Sequence, residues 1–197
     1  MPPVHDLIRA VDASWPATDA KIRLRIIGAS ALSLATGYDR GTKDSDVLET
    51  ADLDGETKTR LIELAGPGTV LANRHSMYIE FVPDALPLLP QTPTWVDLTE
   101  LNGELTHFRV EYLDVLDVVV SKLKRLHGND LRDIEAMIGL GLVPHAALVE
   151  RFKAVVDFLQ DSRSGDLPKC VEHLHQVERD LFYVDESEIE LPHWIDS

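Results

Sequence analysis

Apolar and polar residues alternate with two different periods along the first 112 residues, which predicts both strands and helices there. Apolar residues at helical spacing predict a first helix over residues 4–12. Runs of β-forming residues predict five strands, over residues 22–27, 44–48, 77–82, 95–98 and 107–112. Two further helices are predicted between the strands, over residues 30–36 and 57–64. This mixture predicts an α/β (α+β) domain with a mixed sheet flanked by helices.

Two segments among these strands carry strong loop signals. Residues 83–93 hold four prolines among leucines, so we expect an ordered apolar loop lying over the sheet rather than a helix or a central strand. Asn102-Gly103 is a dipeptide typical of tight turns, and it predicts a turn between the last two strands.

Beyond residue 113 the apolar spacing is helical to about residue 180. We therefore divide the chain into an α/β core over residues 1–112 and a helical region over residues 113–184 that packs on the core. The remaining segment, residues 185–197, is acidic. It is interpreted either as a mobile arm or as a segment that docks on a partner.

The charge balance narrows the possible functions. Nineteen basic residues stand against thirty-four acidic ones, giving a formal net charge of −15. Because phosphate contacts supply most of the non-specific affinity for nucleic acids, this balance disfavours a general DNA- or RNA-binding protein. Two local basic patches remain candidates, Arg23 with Arg25 and residues 122–125. The single cysteine, Cys170, and the lack of a membrane-spanning or secretory segment predict a cytoplasmic protein.

Candidate chemistry is concentrated between residues 26 and 47. An apolar strand ends in a small-residue turn at Gly28, and the following helix would present free N–H groups that bind anions. Asp44 and Asp46 are two residues apart on the next predicted strand, so both carboxylates share one face. Together the turn and the carboxylates suggest a divalent metal ion that holds a phosphate-bearing ligand.

The same residues resemble a known family. The order of residues 28–32 (Gly-x-Ser-Ala-Leu) and 40–47 (Arg-x-Thr-Lys-Asp-x-Asp-Val) resembles the nucleotidyltransferase superfamily with the polymerase-beta-like fold. It looks closest to the minimal bacterial branch that includes AbiEii-like toxins. Two later segments, 78–82 and 117–134, resemble the strand with the third carboxylate and a helical segment of that branch.

The resemblance implies a set of metal ligands. Asp44 and Asp46 would bind Mg²⁺ (or Mn²⁺), and an NTP would be the substrate. Glu80 matches the third carboxylate, which activates the acceptor hydroxyl or binds a second metal ion. The family usually has Asp at this place, so Glu80 is a departure, and Asp97 is the rival candidate.

The resemblance also implies nucleotide contacts. Gly28, Ala29 and Ser30 would cradle the phosphates, with Ala29 standing where the family often has Gly or Ser. Further nucleotide-binding candidates are Arg40, Lys122 and Asp133. The alternative for Lys122 and Asp133 is a surface ion-pair network with Arg125 and Arg132, which would contribute little to stability.

The resulting hypothesis is a Mg²⁺-dependent nucleotidyltransferase that moves an NMP from an NTP to a hydroxyl of RNA, protein or a small molecule. Its setting would be a toxin–antitoxin system, with an antitoxin or other protein as partner. One alternative is a catalytically inactive member of the fold that binds nucleotide or acts as an antitoxin-like partner. A second is a plain interaction protein whose acidic surface neutralises a basic partner.

Overall fold

A computed structural model describes residues 3–16, 20–51, 53–83, 88–89, 92–159 and 166–191. The chain forms two compact units. The first consists of Met1–Ala85 and Thr94–Asp114, and the second of Leu86–Pro93 and Val115–Ser197. Within the described residues, none of the helices has the length and apolar character needed to cross a membrane.

Within the residues that the structure describes, the first unit combines five helices with five strands. In chain order they are α1 (Pro3–Ser14), β1 (Ile22–Ile26), α2 (Gly28–Thr36), β2 (Asp44–Leu48), α3 (Gly55–Ala65), α4 (Val70–His75), β3 (Tyr78–Val82), β4 (Trp95–Asp97), α5 (Thr99–Glu104) and β5 (Phe108–Leu113). The strands form one sheet in the order β3-β2-β1-β5-β4. β1 is antiparallel to β2 and parallel to β5, whereas β2 runs parallel to β3 and β4 antiparallel to β5. The predicted mixed α/β sheet is confirmed.

The two faces of the sheet differ in chemistry because neighbouring residues of a strand point to opposite sides. One face is apolar and packs with the apolar stripes of α1 and α3 in a continuous core. Its fully or nearly fully buried strand residues are Leu24, Ile26, Val47, Ile79, Phe108 and Val110. The other face carries charged residues on every strand, among them the carboxylates of β2 and β3.

The turn predicted at Asn102-Gly103 is wrong, since both residues lie inside α5. Asn102 instead uses its side chain to bond the backbone of the neighbouring strand. Its Nδ2 donates to the Val110 carbonyl at 2.9 Å, and its Oδ1 accepts from the Val110 N–H at 2.7 Å. Leu101 is buried beside it and anchors the short helix. These tertiary contacts outweigh the local turn preference of the dipeptide.

A short helix, α4, was not predicted from the apolar spacing. Thr69 caps it, because its hydroxyl accepts a hydrogen bond from the Ala72 N–H at 3.2 Å. The helix ends at Ser76, which has a φ of 53°. A threonine before a short Val-Leu-Ala run was the available signal, but six residues are too few to show helical periodicity.

In the described part of the second unit, all regular elements are helical. It contains α6 (Val115–Lys122), α7 (Gly128–Gly139), α8 (His145–Leu159), α9 (Leu167–Val177) and a π-helical turn over Glu178–Phe182. The predicted loop over residues 83–93 lies partly outside the described residues. Of its described part, Leu88 is buried and belongs to this unit.

The beginning of the predicted acidic tail is tied to the second unit. Glu178 is fully buried and accepts a hydrogen bond from the Ser187 N–H at 3.0 Å. His175 Nε2 lies 3.1 Å from the Ser187 carbonyl, and Arg179 pairs with Glu186. Residues 185–191 are therefore not a free arm, and residues 192–197 lie outside the described part of the chain.

Candidate metal and nucleotide site

Three carboxylates come together where β2 and β3 run side by side. The parallel register pairs Asp46 with Glu80 and Asp44 with Tyr78, so all four side chains share the polar face of the sheet. One oxygen from each of Asp44, Asp46 and Glu80 lies within 4.8 Å of the others. Opposite oxygens around an octahedral Mg²⁺ ion are about 4.2 Å apart, so a small side-chain adjustment would let the three groups share one ion.

At Gly28 the backbone of the turn after β1 packs closely against this carboxylate group. Its φ is +65°, and a Cβ built there would lie 2.6 Å from Asp46 Oδ2. The Ile27 N–H donates to the Asp46 carbonyl at 2.9 Å and fixes the turn to β2. Only glycine combines this backbone conformation with so close an approach. Ala29, half-buried, follows in the first turn of α2.

Two hydroxyl groups hold Asp44 in place. Ser30 is buried, and its Oγ donates to the backbone carbonyl of Asp44 at 3.0 Å. Thr42 Oγ1 donates to Asp44 Oδ1 at 2.7 Å. The hydroxyl proton of Ser30 is therefore used in this hydrogen bond to β2, so Ser30 helps to hold the strand in position. Thr42 was not recognised as a site residue in the sequence, although a hydroxyl two residues before an aspartate is a known local hydrogen-bonding pattern.

Tyr78 is a further residue of the site that sequence reasoning missed. Burial raises the pKa of its phenol, and the negative charges of Asp44, Glu80 and Asp46 raise it further. The phenol therefore lies in the field of all three carboxylates. Its place two residues before Glu80, on the same face of one strand, was the signal that could have found it.

The rival carboxylate, Asp97, lies at the opposite edge of the sheet. It is on β4, three strands away from β2. A hydrogen bond from Arg109 at 2.8 Å lowers the pKa of Asp97, which serves as a partner for that arginine. Of the two candidates for the third carboxylate, the structure brings Glu80 to the aspartate pair and leaves Asp97 apart.

The first candidate basic patch is neutralised within the sheet. Arg25 Nε lies 3.1 Å from Glu111, and its guanidinium stacks 4.8 Å from the centre of the Trp95 ring. Arg23 lies 3.8 Å from the same carboxylate. Arg40 is exposed in the segment that leads into β2.

Lys122 and Asp133, predicted to contact nucleotide, form a buried ionic cluster in the second unit. Lys122 Nζ lies 2.8 Å from Asp133 and 3.1 Å from Asp130, and the side chains are 6%, 0% and 5% exposed. The alternative of a surface ion-pair network is therefore wrong for Lys122 and Asp133. Of the two arginines proposed for it, Arg125 reaches Asp130 at 3.7 Å and Arg132 is exposed.

The mixed sheet, the glycine turn and the paired carboxylates on the adjacent strand define a protein of the nucleotidyltransferase class. The chain belongs to the family described as "Nucleotidyltransferase of unknown function (DUF6036)", whose model matches residues 6–167. The predicted superfamily is thereby confirmed, and the protein is an enzyme of this class. No curated protein and no solved structure gives a significant match.

Proposed function

We propose that this protein transfers an NMP from an NTP to an acceptor hydroxyl, with Mg²⁺ or Mn²⁺ held by Asp44, Asp46 and Glu80. The observation that carries the proposal is the convergence of three carboxylate oxygens within 4.8 Å beside a glycine turn. Oxygen-only ligands suit hard divalent cations, and the missing Cβ of Gly28 leaves room beside Asp46. A bound cation would neutralise charge on the reacting phosphates.

The first turn of α2 supplies the proposed phosphate contacts. The first N–H groups of a helix have no intrahelical acceptors, and the helix dipole favours negative charge at this end. In α2 these groups belong to Gly28, Ala29 and Ser30, directly beside the strand that carries Asp44 and Asp46. Arg40 stays in the proposal as a nucleotide contact taken from the family resemblance. Lys122 and Asp133 are not counted among these contacts, because both side chains are buried in the ionic cluster of the second unit.

Glu80 is proposed to act on the acceptor. Unlike Asp44 and Asp46, which are half-buried, Glu80 is exposed, and it lies on the edge strand of the sheet. An exposed carboxylate at the edge of the site is open to an incoming hydroxyl and can accept its proton. The extra methylene relative to the aspartate usual in the family lengthens its reach.

Calorimetry of NTP binding with Mg²⁺ tests the proposal. An Asp44→Asn/Asp46→Asn double variant should lose metal-dependent binding of all four NTPs. Glu63→Gln/Glu100→Gln is the matched control, because it removes two charges at exposed helical positions of the same unit. Equal Mg²⁺-dependent binding by the wild type and the carboxylate variant would refute the site, and absence of binding by wild type would refute the function.

The biological setting forms part of the same proposal. The AbiEii-like resemblance favours a toxin–antitoxin role in the cytoplasm, with an RNA, a protein or a small molecule as acceptor. The catalytically inactive alternative predicts NTP binding without release of pyrophosphate in the presence of any acceptor. Pyrophosphate release measured with each acceptor class therefore separates the enzyme from a nucleotide-binding partner protein.

A further inference from the structure

One hydroxyl group at the carboxylate site forms no hydrogen bond within the described residues, and it belongs to the half-buried Tyr78. The other hydroxyls near the carboxylates are committed or turned away. Ser30 Oγ donates to the Asp44 carbonyl at 3.0 Å, and Thr42 Oγ1 donates to Asp44 Oδ1 at 2.7 Å. Ser45 is buried on the apolar face of the sheet. Tyr78 can therefore react without breaking a hydrogen bond that holds Asp44.

The register of the sheet places Tyr78 beside the carboxylates and on their face. It pairs with Asp44 across β2 and β3, and such neighbouring strands are about 4.8 Å apart. Glu80 follows two residues later, about 6.6 Å along the same face of β3. Burial raises the pKa of the phenol, and the charges of Asp44, Glu80 and Asp46 raise it further, so the phenol lies within electrostatic reach of all three. A hydroxyl, a set of metal ligands and a proton acceptor thus share one small area of the sheet.

Tyr78 and the glycine turn lie on opposite sides of the aspartate pair. The turn at Gly28 follows β1, which borders β2 on one side, and Tyr78 is on β3, which borders it on the other. The proposed function places the phosphates of the NTP at the turn. In phosphoryl transfer the attacking and leaving oxygens lie roughly in line. A hydroxyl on the β3 side is therefore suited to attack while pyrophosphate leaves on the side of the turn.

We propose that Tyr78 is itself an acceptor, and that the protein attaches one NMP to this tyrosine of its own chain. The inference rests on the proposed function. The phenolic oxygen forms a bond to the α-phosphorus of the NTP as the bond from that phosphorus to the bridging oxygen breaks. Pyrophosphate leaves with that electron pair, and the phenolic proton passes to Glu80. The product is a tyrosine phosphodiester beside Asp44.

Mass spectrometry of the intact protein, incubated with Mg²⁺ and each of the four NTPs, tests the inference. The wild type should gain the mass of one NMP and no more, because Tyr78 accepts a single group. Trypsin cleaves after Arg74 and Arg109, and Tyr78 is the only tyrosine between them. Tandem mass spectrometry of that peptide should therefore locate the added group at Tyr78.

Three variants assign the reaction to its residues. Tyr78→Phe keeps the ring and removes only the hydroxyl, so it should lose the adduct completely. Asp44→Asn/Asp46→Asn should lose it as well, because the proposed metal ligands are gone. Tyr183→Phe is the matched control, since it removes an exposed phenol from the second unit, and it should gain the adduct like the wild type.

A mixture of two variants tests whether the transfer stays within one chain. The ¹⁵N-labelled Asp44→Asn/Asp46→Asn variant keeps Tyr78, and unlabelled Tyr78→Phe keeps the carboxylates. Neither chain should gain an NMP, because the hydroxyl and the carboxylates must belong to the same sheet. An adduct on the ¹⁵N-labelled chain would overturn the proposal in favour of transfer between chains.

Calorimetry of NTP binding to the same samples separates the possible failures. If the wild type binds an NTP with Mg²⁺ and gains no adduct, the inference is wrong and the proposed function stands. The same conclusion follows if the adduct persists in Tyr78→Phe. If no NTP binds and no adduct forms, the proposed function and the inference both fail.

Discussion

Replacing Gly28 by alanine should separate the two roles of this residue, its backbone conformation and its contact with Asp46. Alanine at a φ of +65° costs roughly 1–2 kcal/mol. The new Cβ would also stand 2.6 Å from Asp46 Oδ2, the mobile end of a side chain. That carboxylate can rotate away at little further cost to stability, but only by leaving the position from which it would bind a metal ion.

The expected result is a modest loss of stability and a large loss of binding. In a chain of this size, 1–2 kcal/mol lowers the melting temperature by about 2–8 °C. Displacing a metal-binding group or its support typically weakens metal affinity by about 10- to 100-fold. Calorimetric titration of Mg²⁺ and ATP, with thermal unfolding of the same samples, measures both quantities for Gly28→Ala.

Gly37 provides the matched control. Its φ is +75°, but a Cβ there would meet no atom within 4 Å. Gly37→Ala should therefore lower the melting temperature as much as Gly28→Ala and leave Mg²⁺ and ATP binding unchanged. Wild-type binding by Gly28→Ala would refute the reasoning, because it would mean that the position of Asp46 does not matter to the site.

Three further changes test other parts of the molecule. Lys122→Met leaves Asp130 and Asp133 buried without their cation. It should therefore lower the free energy of unfolding, measured by denaturant titration, by about 3–5 kcal/mol. An unchanged free energy of unfolding would contradict a buried cluster. Asn102→Ala removes both hydrogen bonds to the β5 backbone and should cost about 1–3 kcal/mol in the same assay, against no loss for a surface asparagine variant. Burial raises the pKa of Glu178, but hydrogen bonds from Ser187 and His145 outweigh it and leave the pKa below its usual value. A depressed carboxyl pKa stabilises above the unfolded-state value and loses that effect as the pH falls through the folded-state value. The protection factors of the amides of residues 183–191, which correct the exchange rates for their intrinsic pH dependence, should therefore fall at acidic pH in the wild type. A Glu178→Gln variant should lose this change in protection.

Local periodicity was enough to predict where the two aspartates and the glycine turn of the candidate site lie. Asp44 and Asp46 could be placed on one face because a strand repeats every two residues, and Gly28 could be placed at a turn because an apolar strand ends there. The choice between Glu80 and Asp97 needed information that spacing does not carry. Both lie on strands, and only the strand order places β3 beside β2 and β4 at the far edge.

Two further differences between the sequence-based expectations and the structure have the same cause, the burial of the side chains concerned. Asn102-Gly103 has the composition of a turn, yet hydrogen bonds to Val110 and the buried Leu101 place it in a helix. Lys122 with its aspartates has the composition of a surface network, yet its side chain is only 6% exposed. In both cases the hydrogen-bonding partner lies on another element, eight or more residues away along the chain, so the local pattern does not show whether the side chain is buried.

The register of β2 explains how the core determines the chemistry of the opposite face. Ser45 and Val47 are buried on the apolar side, where Val47 pairs with Ile26 of β1 and Ser45 with Ile79 of β3. A slip of one residue would bury Asp46 and expose Val47, at the cost of both apolar burial and charge desolvation. Packing of the core therefore fixes the alignment that brings Asp46 opposite Glu80 and against Gly28. The carboxylates can remain close together and half-exposed because the buried residues between them hold the strand in place.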